Sequence, residues 1–368
     1  MKRRHLLKLF AFLPASALAK SLLDFFNFKS PSKVSFVINK MQSIDLHWPT
    51  QEPFLFCAHH YDYYPAGNQN LGLDKKFFAG REMGMDFVQK DGFRIYHGAE
   101  IPGFPVHPHR GFETITIVRK GYVDHADSLG AAGRYGEGDV QWMTAGSGVQ
   151  HSEMFPLLHQ DKENTVELFQ VWLNLPQKNK MVAPDFKMLW ANSIPKIKPS
   201  SNVEVSLICG EFQGQKYYQS PKNSWASDPT NEVNILLVKM DVGGKFIFPK
   251  AKNLTNRSIY IFEGQGMSVN GQSVPGKQAI FVDSTQDLEI IAHSKDVEVL
   301  VLEARPIGEP VVQHGPFVMN SRQEIYQTIN DYQRTQFGGW NWPRQDMIHG
   351  SKIEKFAKYP DGKIEKPV

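Results

Sequence analysis

The sequence predicts an all-β fold made of two consecutive blocks of short strands. A chain of 368 residues is too long for one ordinary hydrophobic core, which indicates about two domains. Runs rich in β-branched and aromatic residues recur along it, and 29 glycines and 23 prolines supply turns between them. Short strands at regular spacing are typical of sandwiches and barrels.

The first block is predicted at residues 34–180, after a linker at 20–33. Turn residues interrupt it at short intervals, for example at Lys120-Gly121. The predicted strands are 34–38, 54–57, 93–96, 114–118, 122–125, 138–143 and 166–175.

The second block is predicted at residues 200–340, beyond a polar stretch at 176–201. Asn270-Gly271 is typical of a hairpin turn. The predicted strands are 203–209, 233–242, 245–248, 258–262, 267–269, 278–282, 288–291 and 298–303.

One short helix is predicted near the carboxyl end, at about 321–334. Ser321 and Glu324 fit a capping box, and apolar residues then recur at helical spacing, at Ile325, Ile329 and Tyr332. Residues 345–368 are polar and rich in lysine, which predicts a tail.

The amino terminus predicts an export signal at residues 1–19. Arg3-Arg4-His5-Leu6-Leu7-Lys8 is similar to a twin-arginine signal, and small residues at Ala17-Leu18-Ala19 suit a signal peptidase. The apolar run at 9–19 is too short for a permanent anchor, so no membrane anchor is expected after cleavage. An ordinary secretory signal with two chance arginines is the alternative. Either route predicts a periplasmic or secreted bacterial protein.

The apparent basic charge belongs mostly to that signal. Its removal lowers Lys plus Arg from 41 to 37 against 38 acidic residues, so the formal net charge changes from +3 to −1. This balance gives no case for nucleic acid as a partner. Cys57 and Cys209 lie far apart in the sequence, which is more typical of buried small hydrophobes than of a disulfide.

Two short clusters predict a metal site. His107 and His109 form a His-x-His pair, and His151 and Glu153 form a His-x-Glu pair. Residues i and i+2 of a strand share one face, so two adjacent strands would aim three imidazoles and one carboxylate at one point. This donor set suits Fe, Mn, Ni, Cu or Zn and leaves open positions, as a catalytic metal requires.

Glu113 is the competing carboxylate. Parity along an extended strand places it on the face of His107 and His109, but it lies four residues beyond His109, roughly 13 Å along such a strand. It would reach the ion only if the chain bends. Glu153 needs no bend and is favoured, and Glu113 is expected to support the ligands or to form a buried salt bridge.

The motifs around these clusters resemble the pirin family over about residues 35–340. The similarity is carried by His107-Pro108-His109-Arg110-Gly111-Phe112-Glu113-Thr114, Asp127-Ser128-Leu129-Gly130, Gly138-Asp139-Val140-Gln141-Trp142-Met143-Thr144-Ala145-Gly146, His151-Ser152-Glu153, Gly308-Glu309-Pro310 and Gly315-Pro316-Phe317-Val318-Met319-Asn320. The resemblance implies a bicupin, with two tandem jelly-roll barrels. It also implies one metal ion, usually iron, on His107, His109, His151 and Glu153.

The resemblance further implies an oxidoreductase similar to quercetin 2,3-dioxygenase, with a flavonol-like substrate and O₂. Glu153 would accept the proton of the flavonol 3-hydroxyl. Aromatic and apolar pocket walls are predicted at Phe104, Phe112, Trp142, Met143 and Phe155. The alternative for each of these residues is ordinary barrel core.

Two other functions stay open at this point. The first is a non-catalytic, iron-dependent binding or redox-sensing protein, and the second is a zinc or nickel hydrolase or isomerase. Pirins are typically cytoplasmic or nuclear, and the export signal and the tail depart from the family pattern. The second barrel has Phe246-Ile247-Phe248-Pro249-Lys250 where a ligand motif would stand, so it is predicted to be metal-free. A monomer is expected.

Overall fold

The computed structural model describes residues 37–368. The predicted signal and linker, and the first residues of the predicted strand 34–38, lie outside the described residues. Within residues 37–368, each helix is too short or too polar to cross a lipid bilayer.

The described part of the chain is dominated by strands, which we number in chain order. The first half contains β1 (Ile38–Ser43), β2 (His47–Trp48), β3 (Phe54–Tyr64), β4 (Gly103–His109), β5 (Phe112–Lys120), β6 (Tyr122–Asp127), β7 (Ala132–Gly136), β8 (Val140–Thr144), β9 (Val149–Met154), β10 (Asn164–Asn174) and β11 (Asp185–Leu189). The second half contains β12 (Lys196–Ser200), β13 (Val203–Phe212), β14 (Gln215–Tyr217), β15 (Asn234–Met240), β16 (Lys245–Phe248), β17 (Asn256–Glu263), β18 (Gly266–Val269), β19 (Gln272–Pro275), β20 (Gln278–Val282), β21 (Leu288–Ala292), β22 (Val297–Ala304), β23 (Val312–His314), β24 (Phe317–Met319), β25 (Phe356–Lys358) and β26 (Ile364–Glu365).

The first barrel consists of two antiparallel sheets. One has the order β11-β8-β5-β10-β3-β2, and the other has the order β26-β25-β7-β6-β9-β4. Their inner faces enclose an apolar core that includes Tyr64, Phe93 and Val123. The predicted strand 93–96 is wrong, because Phe93 and Tyr96 form only isolated bridges and the backbone of Tyr96 is left-handed (φ 62°).

The second barrel has a larger sheet of order β1-β20-β17-β22-β15-β13-β12 and a smaller one of order β16-β21-β18-β19. Aliphatic and aromatic side chains fill its interior, including Phe246 and Phe248 of the segment that replaces a ligand motif. The all-β, two-barrel fold predicted from the sequence is therefore confirmed. Cys57 and Cys209 are free, buried thiols in a hydrophobic cluster that joins the two barrels.

Each end of the described chain pairs with the barrel that is more distant from it in sequence. Strand β1 pairs with β20 of the second barrel, although it precedes the first barrel in sequence. Strand β25, in the segment predicted to be a tail, pairs with β7 of the first barrel. Ala357 of β25 is fully buried there. The second barrel thus contains a strand that precedes the first barrel in sequence, and the first barrel contains a strand that follows the second barrel in sequence.

A single α-helix, α1 (Arg322–Thr335), stands near the carboxyl end of the described residues, as the sequence predicts. The Ser321 hydroxyl accepts a hydrogen bond from the Glu324 amide, which is the expected cap. The helix contacts the first barrel, since the Arg110 guanidinium donates to Asp331 at 2.9 Å and the Tyr332 hydroxyl donates to Gln150 at 2.9 Å.

Candidate metal centre

The four candidate ligands lie on two adjacent strands of one sheet. His107 and His109 are on β4, and His151 and Glu153 are on β9. The strands pair in antiparallel register with His107 opposite His151. The i, i+2 spacing thus brings the two pairs together, as the sequence predicts.

The three imidazoles form a compact cluster. One ring nitrogen from each of His107, His109 and His151 lies within 4.8 Å of the others. The carboxylate of Glu153 is beside them, with Oε2 3.7 Å from His151 Nε2. His151 is fully buried, and His109 and Glu153 are almost so. Three nitrogens and one oxygen at this spacing could share one ion.

The hydrogen bonding of the histidines fits a metal ion. Both ring nitrogens of His151 are buried without a hydrogen-bond partner among residues 37–368, and so is Nδ1 of His109. Buried polar atoms without partners are costly and rare, and a metal ion bound by these nitrogens would remove that cost. His107 Nδ1 lies 2.9 Å from the Pro105 carbonyl, a contact that orients the ring and leaves its other nitrogen free.

Burial sets the protonation of these groups. It lowers the pKa of His107 to about 4. It also lowers the pKa values of His109 and His151 well below the usual range, with a further contribution from neighbouring imidazoles. The rings are therefore neutral at physiological pH, which is the form that binds metals. Burial raises the pKa of Glu153, and a cation beside it would favour the carboxylate.

The Glu153 carboxylate is held by two neighbours. The Thr116 hydroxyl lies 2.9 Å from Oε1, and the Gln170 amide donates to Oε2 at 3.3 Å. Thr116 also lies 2.7 Å from Gln170 Oε1, so the three side chains form a closed ring of contacts. The contacts fix the orientation of the carboxylate toward the histidines.

A cavity of about 330 Å³ opens onto this cluster. Its size is at the lower end of the range for small-molecule sites. Phe104 and Phe155 are in its wall, as the sequence predicts. The other lining residues are His47, Phe56, His60, Phe87, His97, His107, His109, Thr116, Glu153, Leu168, Gln170, Trp172 and Pro316.

Three of the predicted wall residues lie elsewhere. Phe112 packs its ring on Trp172 and His109 but does not line the cavity. Trp142 is in the hydrophobic cluster between the barrels, and Met143 is in the core of the first barrel. Strand β8, which carries both, is buried on its two faces, so neither residue reaches the cavity.

Glu113 also lies away from the histidines. The prediction that it shares a strand face with His107 and His109 is wrong. Gly111 adopts a left-handed conformation (φ 85°), and the chain passes from β4 in one sheet to β5 in the other. The Glu113 carboxylate accepts hydrogen bonds from the Thr144 hydroxyl at 2.6 Å and the Ser224 hydroxyl at 2.5 Å. Among the described residues it has no cationic partner.

Several residues of the site were not among those predicted from the sequence. Leu168, Gln170 and Trp172 alternate along β10 and all line the cavity, a period-2 signal that could have revealed them. His60 also lines the cavity but has no partner at ligand spacing. His125 is fully buried with its ring centre 5.5 Å from that of His151, a contact that no spacing pattern in the sequence indicates.

Known proteins of similar sequence identify the family. A Pseudomonas aeruginosa protein provisionally named as a quercetin 2,3-dioxygenase is 36% identical over 64% of this chain and 79% of its own length. Pirin-like protein 2 of Arabidopsis thaliana is 37% identical over 67% of this chain and 73% of its own.

A solved structure with a similar fold points to the same family. The quercetin 2,3-dioxygenase of Acinetobacter baumannii aligns with a TM-score of 0.65 at 27% identity, covering 82% of this chain and 98% of its own. The family model Pirin matches residues 48–173, and the model for the pirin C-terminal cupin domain matches residues 235–338. The chain therefore belongs to the pirin family, and its two barrels are cupin domains.

Proposed function

We propose that this protein is a metal-dependent dioxygenase that cleaves quercetin-like flavonols with O₂. The observation that carries the proposal is the cavity with aromatic walls that opens directly onto the three-histidine cluster. The names of the Pseudomonas and Acinetobacter relatives support the same chemistry. In the reaction, both oxygen atoms of O₂ enter the products, and one ring carbon leaves as carbon monoxide with a depside.

The metal would be held by His107, His109, His151 and Glu153. We propose iron, and Mn, Ni, Cu and Zn are the alternatives that the donor set allows. When bound, the metal would act as a Lewis acid that lowers the pKa of the 3-hydroxyl and would exchange electrons with O₂.

The side chains around the ion have separate tasks in this mechanism. Glu153 accepts the proton of the 3-hydroxyl, and Thr116 and Gln170 hold its carboxylate in place. Phe104 and Phe155 pack against the flat rings of the substrate. The apolar walls exclude water, which would otherwise compete for the carboxylate.

Oxygen uptake with quercetin tests the proposal. The protein is stripped of metal and loaded separately with Fe, Mn, Ni, Cu or Zn, and O₂ consumption and carbon monoxide release are measured. Glu153→Ala should abolish turnover, whereas Glu113→Gln, a change to a buried carboxyl outside the cavity, should retain it. Absence of turnover with every metal would refute the proposal and favour a metal-dependent binding protein.

We further propose that the protein is exported from a bacterial cell in the folded state. The support is the sequence of residues 1–19, with Arg3-Arg4 ahead of a short apolar run. Folding before export would allow the metal to be inserted in the cytoplasm, away from competing copper. Replacing Arg3-Arg4 with Lys-Lys should retain the protein in the cytoplasm. Unimpaired export would indicate the ordinary secretory route.

A further inference from the structure

His60 is a buried histidine that the metal centre does not use. It lies on β3 in the wall of the cavity, and its side chain is almost completely inaccessible to solvent (4% exposed). Its neighbour on the strand, His59, points the other way, where its Nε2 lies 3.1 Å from Glu167. Adjacent residues of a strand face opposite sides, so only His60 reaches the cavity.

The His60 imidazole is held by packing rather than by hydrogen bonds. Its ring meets those of Tyr96 and Phe104 edge to face, with centres 4.8 and 5.7 Å apart. Within residues 37–368, Nδ1 is buried without a partner, and Nε2 makes no hydrogen bond either. Burial lowers the pKa of His60 to about 3, so the ring is neutral and offers one donor and one acceptor.

The contacts of Phe104 limit the distance between His60 and the candidate ligands. The centre of that ring lies 5.7 Å from His60 and 6.4 Å from His107, so the two histidines are at most about 12 Å apart. The cavity therefore has a buried polar group, His60, in an aromatic part of its wall and a second polar region at the candidate ligands. A small flat molecule could contact both.

We propose that His60 determines substrate specificity by hydrogen bonding to a ring hydroxyl of the flavonol. The inference rests on the proposed function. It narrows the substrate class to aromatic compounds that carry a hydroxyl remote from the group bound at the metal. A flavonol without such a hydroxyl would leave the buried imidazole unpaired.

Binding in the absence of O₂ tests this inference without turnover. The probes are quercetin and 3-hydroxyflavone, which has no hydroxyl beyond the one at position 3, and the dissociation constants are measured by absorbance on metal-loaded protein. His60→Leu should weaken quercetin binding roughly 3- to 10-fold, which corresponds to one lost hydrogen bond, and should leave 3-hydroxyflavone within about twofold. His60→Gln should restore part of the preference.

Phe155→Leu is the matched control, because it removes packing from the same cavity without removing a polar group. It should weaken both probes equally. An equal effect of His60→Leu on both probes would overturn the inference. If the parent protein consumes O₂ with quercetin and His60→Leu keeps the same preference for quercetin over 3-hydroxyflavone, only the role of His60 is refuted. If His60→Leu weakens the binding of quercetin alone, as expected, but the parent protein consumes no O₂, only the dioxygenase proposal is refuted.

Stability gives a second readout. If His60 serves the ligand, the unpaired imidazole is a cost in the free protein, and His60→Leu should keep or raise its Tm. Quercetin should then raise the Tm of the parent protein more than that of the variant. A lower Tm for the free His60→Leu and His60→Phe proteins would show a structural role and overturn the inference.

Discussion

Glu113→Gln should remove a pH-dependent loss of stability from the first barrel. The carboxyl is fully buried and accepts hydrogen bonds from the hydroxyls of Thr144 and Ser224. Burial raises its pKa from 4.5 to about 7. A carboxyl whose folded-state pKa is raised binds its proton more tightly in the folded than in the unfolded chain.

The sign and the size of the effect follow from this difference in pKa. Below pH 4.5 both states are protonated, and the contribution of Glu113 to the free energy of unfolding is fully present. Between pH 4.5 and 7 only the folded state keeps the proton, so stability falls as pH rises. A difference of about 2.5 pKa units corresponds to about 3 kcal/mol lost by pH 8. Glutamine has no proton to lose and can pair with both hydroxyls.

The assay is urea unfolding of the metal-free protein between pH 4 and pH 8. The free energy of the parent chain is subtracted from that of Glu113→Gln at each pH, so that other groups, such as Asp62 with its pKa raised to about 6, cancel. The difference should grow by about 3 kcal/mol with pH. Glu113→Ala, which removes the acceptor of both hydroxyl groups, should be destabilised even at pH 4. A difference that stays flat from pH 4 to pH 8 would refute the reasoning.

Three further predictions concern the metal and the carboxyl-terminal segment. His151→Ala should reduce bound metal well below one ion per chain by elemental analysis, and full occupancy would exclude His151 as a ligand. Gln170→Leu removes a donor to Glu153 and should lower metal affinity roughly 10-fold in competition with a chelator; an unchanged affinity would contradict that role. Deleting 349–368 removes β25 and the carbonyl partners of buried Arg134, which should cost about 2 kcal/mol or more in urea unfolding. An unchanged midpoint would show that this segment is dispensable.

Local periodicity was enough to predict that each pair of candidate ligands shares one face of its strand. The i, i+2 rule depends only on the strand itself, so His107 and His109 share a face wherever the strand lies in the barrel. The same holds for His151 and Glu153. That the two strands are neighbours is a long-range fact, which the sequence supplied only through the surrounding motifs.

The walls of the cavity needed information that local spacing does not contain. Trp142 and Met143 have the right chemistry, but β8 is covered on both faces, so neither side chain meets the cavity. The predicted position of Glu113 was wrong for a related reason. The turn at Gly111 transfers the chain to another sheet, so the alternation of faces along β4 does not continue into β5. His60 gave no spacing signal because its partners are aromatic rings from distant segments.

The second half of the chain contributes to the candidate site in the first barrel through the segment that carries β24. The backbone amide of Val318 in β24 donates to the carbonyl of Arg110 at 3.0 Å, directly after the candidate ligand His109. A Cβ at Gly111 would lie 1.9 Å from the Val318 carbonyl oxygen, so only glycine allows this approach. Pro316, from the same segment, completes the cavity wall. The segment that follows the second barrel thus fixes the corner where the strand with the candidate ligands His107 and His109 ends. This contact is a physical reason for the two cupin domains to act as one unit.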